Sequence, residues 1–109
     1  MSADNQIEIP PSFIALHIAP GRSVTTTPRA LILARYEQCE DMASLLTEHA
    51  QTLLDKENLA PQDVLLRCYR GLLADAENFN APEAQWVVTR LAEFMGWPWP
   101  AWGDETLCK

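Results

Sequence analysis

Glycine is scarce in this sequence. Its four glycines stand apart at positions 21, 71, 96 and 103 of 109 residues. Neither GxxxxGK[ST] nor GxGxxG can be read, which excludes the backbone cradles that usually hold nucleotide phosphates. Basic residues are few as well. Eight Lys and Arg stand against fifteen Asp and Glu, a net charge of −7. That sign is wrong for neutralising a nucleic-acid backbone or an anionic membrane surface, so neither partner is expected. No apolar run approaches the roughly 20 residues that span a bilayer. The opening MSADNQIEIPP has neither a basic stretch nor a long apolar core, so no export signal is expected. Cysteine is limited to Cys39, Cys68 and Cys108, an odd number with no CxxC pair. A disulfide framework, a zinc site and a dithiol redox centre all lack their basic spacing, and the expectation is reduced thiols in a bacterial-type cytoplasm.

What is present suits one folded domain. The hydrophobic fraction is 48%, enough for a chain of this length to bury a core without staples. Residues 1–109 are expected to form a single domain with 1–6 and 104–109 as disordered ends. In IEIPPSFIALHIAPGR, Pro10 and Pro11 impose an extended lead into a short helix that Pro20-Gly21 stops; a short strand over FIALHI is the competing reading.

The strongest periodicity runs over 28–57. Thr27 is placed as N-cap and Pro28 as first helical residue. Ile32, Tyr36, Cys39, Ala43, Leu46, Ala50 and Leu53 then recur at alternating four and three. Glu37, Asp41, Ser44, Glu48, Gln51 and Asp55 keep the same alternation on the other side, which predicts an amphipathic helix with an acidic, solvated face. Met42, Leu45 and Leu54 are expected to widen the apolar face, and Asn58 to cap the end. Pro61 opens a second helix, 61–74, with Val64, Leu65, Cys68 and Leu72 inward and Arg67 and Arg70 outward. Asn80 and Glu83 make an N-x-x-E capping box for a third helix, 81–95, with Pro82 in its first turn. Ala84, Val87, Leu91 and Phe94 share its inner face, and Gly96 stands where a left-handed terminal residue belongs. The expected fold is therefore all-α: a small helical bundle of three main helices plus a short N-terminal helix, with an extended Trp/Pro C-terminal tail packed on it.

Residues that could carry chemistry do not converge. His17, His49, Cys39 and Cys68 fall on separate elements without ligand spacing, so no metal and no cofactor is expected. Cys39 and Cys68 occupy apolar helical positions, where a thiol is an inert small hydrophobe. Glu40 and Asp41 read as a solvated surface pair. No nucleophile, base and orienting group can be assembled, and an enzyme is not the favoured reading.

Interaction is favoured instead. Glu37, Asp41, Glu48 and Asp55 offer an acidic stripe to a basic partner, and Trp86 and Arg90, four apart, are spaced for a cation–π contact. Three of the four tryptophans fall in GWPWPAW, residues 96–102. Beyond a helix stop at Gly96, Trp97 is expected to be largely buried against the last turn. Pro98 and Pro100 favour a three-residue-per-turn extended path that puts Trp99 and Trp102 on one face. At least one of these two is expected to pack on the bundle, and any functional aromatic surface centres on them.

The segments IEIPPSF, APGR, RYEQCEDMASLLTEHAQTLL and WVVTRLAEFMGWP resemble a family of small proteobacterial proteins, some labelled "ATPase with chaperone activity". The resemblance covers all but about the last ten residues. It implies a bacterial cytoplasmic protein and carries no catalytic residue over. The label finds no phosphate-binding loop in this chain. The functional expectation is a non-enzymatic cytoplasmic adaptor or regulator acting on a protein partner. The alternatives are a nucleotide-dependent or chaperone-associated factor, and a homodimer seamed along the long helix.

Overall fold

The computed structural model describes residues 8–18, 21, 25 and 27–100. The ends expected to be disordered, 1–6 and 104–109, lie outside these residues, as do Trp102 and Cys108. The described chain is all-α. Helix α1 is Pro11–Ile14, followed directly by a 3-10 turn Ala15–His17; α2 is Arg29–Lys56, α3 is Pro61–Ala74 and α4 is Ala81–Met95. The one β pairing among the described residues is an isolated antiparallel bridge between Ile18 and Thr25. No described helix is long and apolar enough to cross a membrane. Packing divides the chain into two compact units, Met1–Gln38 and Cys39–Lys109.

In the first unit the prolines act as their chemistry dictates. Pro10 is extended, with φ −58° and ψ 143°, and its carbonyl accepts from the amides of Phe13 and Ile14 at 3.0 and 3.1 Å. Pro11 then opens the helix without losing a needed N–H. Phe13 is fully buried. Its ring lies 5.5 Å from that of His17 and 5.7 Å from that of Tyr36, the latter edge-on at 66°, within the range that favours aromatic pairs. Thr27, expected as the N-cap, has its Oγ1 3.3 Å from His17 Nδ1. Helix α2 begins one residue later than the sequence suggests, and Pro28 supplies the first accepting carbonyl, to Leu31 and Ile32 at 3.0 and 3.1 Å.

In the second unit α2 buries Cys39, Ala43, Ala50 and Leu53, a stripe of mostly small side chains in the predicted register. Leu45 departs from it. The side chain expected to widen the apolar face is 70% exposed, because it falls beyond the edge of the stripe, one turn from Asp41 and Glu48. Helix α2 stops as predicted, with Asn58 at φ 54°, the left-handed conformation that Asn tolerates better than other residues bearing a Cβ.

Helices α3 and α4 pack together, joined by residues 75–80. Helix α3 buries Val64, Leu65, Cys68 and Leu72, and α4 buries Ala84, Val87, Val88, Leu91 and Ala92. Each fully buried Leu or Val removes enough apolar surface from water to contribute about 1.5–3 kcal/mol. The connection adds a core residue of its own. Asp75 accepts both amide N–H bonds of the turn, from Asn78 at 3.0 Å and Phe79 at 3.1 Å, and Asn78 Nδ2 donates to its carboxylate at 3.0 and 3.1 Å. The turn so formed sends Phe79, 2% exposed, inside. Phe79 stands at the position of a hydrophobic staple, next to the capping box. In that box Asn80 Oδ1 accepts from the Glu83 amide at 2.8 Å, and Glu83 Oε1 accepts from the Asn80 amide at 3.3 Å. The reciprocal bond accounts for a carboxylate that is only 3% exposed.

Candidate functional site

Helix α4 ends in a left-handed Gly96, φ 73°. The Trp97 amide donates to the Ala92 carbonyl at 2.9 Å and the Gly96 amide to the Glu93 carbonyl at 3.2 Å. These are the two bonds of a Schellman motif, and they fix the direction in which the chain leaves the helix. Trp97 sits beside the last turn as expected, yet it is half-buried rather than largely buried. The motif fixes its amide, and a side chain this large is seldom fully buried. Pro98 holds the next backbone φ near −65° and Pro100 restricts Trp99 to an extended conformation. Trp99 is 66% exposed, so of the two rings expected to share a face, the one that can be described stands in solvent. Trp102 lies outside the described residues.

Arg90 occupies a different place from the one its sequence neighbours suggest. Its Nε donates to Glu40 Oε1 at 3.0 Å and its Nη2 to Glu40 Oε2 at 3.1 Å, a two-pronged bond from α4 to α2. Nη1 donates to Glu93 Oε1 at 2.9 Å. The ring beneath the guanidinium is that of Phe94, 4.3 Å away, and not Trp86, which is half-buried one turn earlier. Turning toward Glu40 carries the guanidinium over Phe94. Phe94, expected inside, is 41% exposed, with the guanidinium on one face of its ring. The hydrogen bond to Glu40, followed by that to Glu93 and their charges, pushes the guanidinium further above its already high ordinary range against the opposing effect of burial. Glu40, expected to be solvated, is half-buried as the anchor of this pair.

The four acidic residues of the expected stripe, Glu37, Asp41, Glu48 and Asp55, are exposed, unlike Glu40. Glu37 lies in the first unit and the others in the second. Asp55 accepts from Gln51 Nε2 at 3.1 and 3.2 Å. Charge is divided unevenly between the units. Residues 1–38 hold three acids and three bases, and residues 39–109 hold twelve acids and five bases. The whole net charge of −7 therefore lies in the unit that carries Trp99.

The remaining reactive groups are dispersed. Cys39 and Cys68 are buried and in no disulfide, and burial pushes Cys68 up to about 11, away from the thiolate that nucleophilic chemistry needs. His17 lies among the rings of the first unit, with Nε2 buried and unbonded among the described residues, and His49 is exposed on α2. Among the described residues no group of three or more His, Cys, Asp or Glu side chains converges as metal ligands.

The sequence pattern shows the acidic face and the helix stop at Gly96; for Trp99 and Trp102 it leads to the expectation that at least one packs on the bundle, and Trp99 does not. The pattern misses Phe79, hidden in a polar turn, and the Arg90–Glu40 bond, which joins residues 50 positions apart and leaves no periodic trace. Compared with family models, curated proteins and solved structures, the chain matches none.

Proposed function

We propose that this chain is a non-enzymatic protein-interaction module of the cytoplasm, an adaptor or regulator, and that Trp99 is the centre of its binding surface. The observation that carries this reading is a tryptophan 66% exposed on a segment whose root is fixed by a Schellman motif and whose backbone is restricted by flanking prolines. Tryptophan is the residue most often found to dominate binding energy at protein interfaces. A stiff, extended carrier lowers the ordering cost of docking. The folded core does not use this ring, and the dispersed thiols and imidazoles give a catalytic reading no assembled site.

Pairing of α2 with a second copy has less support. The stripe such a seam requires, Cys39, Ala43, Ala50 and Leu53, is already buried in a single chain.

The test is site-specific crosslinking in cells of the source organism, with benzoylphenylalanine placed at position 99 and, as a control, at the exposed Thr52. A discrete adduct with another protein from position 99 and none from position 52 is the expected result. No adduct from position 99, or the same adducts from both, contradicts the reading.

A further inference from the structure

We draw no further inference here: the strongest candidate, the outer face of α3 on which the exposed Leu66 and Leu73 flank Arg70, is a mixed helix surface, and nothing in the structure shows what covers it.

Discussion

Arg90 joins two helices through one side chain. Its planar fork spans both oxygens of Glu40, a geometry that Lys cannot copy, and its flat face lies over one side of the Phe94 ring. An exposed ion pair alone contributes little. The two-pronged bond and the ring contact together make Arg90→Ala cost about 1–2 kcal/mol in denaturant unfolding, with Arg90→Lys recovering less than half. No loss in Arg90→Ala would show the pair to be ornamental. Cys68 supplies a second test at this scale. Its folded pKa of about 11 lies above its ordinary value of 9.0, so the native state holds the proton longer than the unfolded state does. The stability it contributes is full below pH 9 and is lost as pH rises toward 11. Stability measured from pH 8 to about 11 should therefore fall more steeply in the parent chain than in Cys68→Ser, and the thiol should resist alkylation until the chain unfolds. Identical slopes would mean the thiol is solvated.

Helix boundaries depend on short-range chemistry, which is why they were legible. Asn58, Asn80 with Glu83, and Gly96 lie within a turn of the groups they satisfy, and α2 ends and α4 starts and stops where those residues place them, as α3 starts at Pro61. Removing the box with Asn80→Ala is expected to cost about 1 kcal/mol. Gly96→Ala, which puts a Cβ on a left-handed residue with open space around it, should cost about 1 kcal/mol through backbone strain alone. It should also loosen the direction of the Trp segment, readable as lower steady-state anisotropy of tryptophan emission. What periodicity could not resolve was the edge of each face. Leu45 and Phe94 are apolar residues at margins, and which side of a margin is wet depends on the neighbouring helix. For Phe94 the neighbour contributes Glu40, which draws Arg90 across the ring. Phe79 was hidden for a related reason: its turn is otherwise polar apart from Ala76, and the Asp75 bonds that shape it leave no periodic trace.

At the scale of the molecule, the all-α class was legible because long-range order here is mostly helix on helix. The division of packing at Gln38 and Cys39 was not, since it falls inside α2, where the amphipathic pattern runs on without a break. That division concentrates the charge: residues 1–38 are neutral and residues 39–109 hold all of the −7. With the α2 stripe already buried, light scattering at high concentration should return the mass of one chain; a dimer mass would revive the long-helix seam. The central claim is that Trp99 belongs to a binding surface and not to the core. Its most direct test is the thermal midpoint of Trp99→Ala, set beside that variant's capture of the purified protein that crosslinks at position 99. The account predicts a midpoint within about 2 °C of the parent and a loss of capture. A midpoint lowered by more than about 5 °C with capture intact would make the ring a lid on the protein's own core.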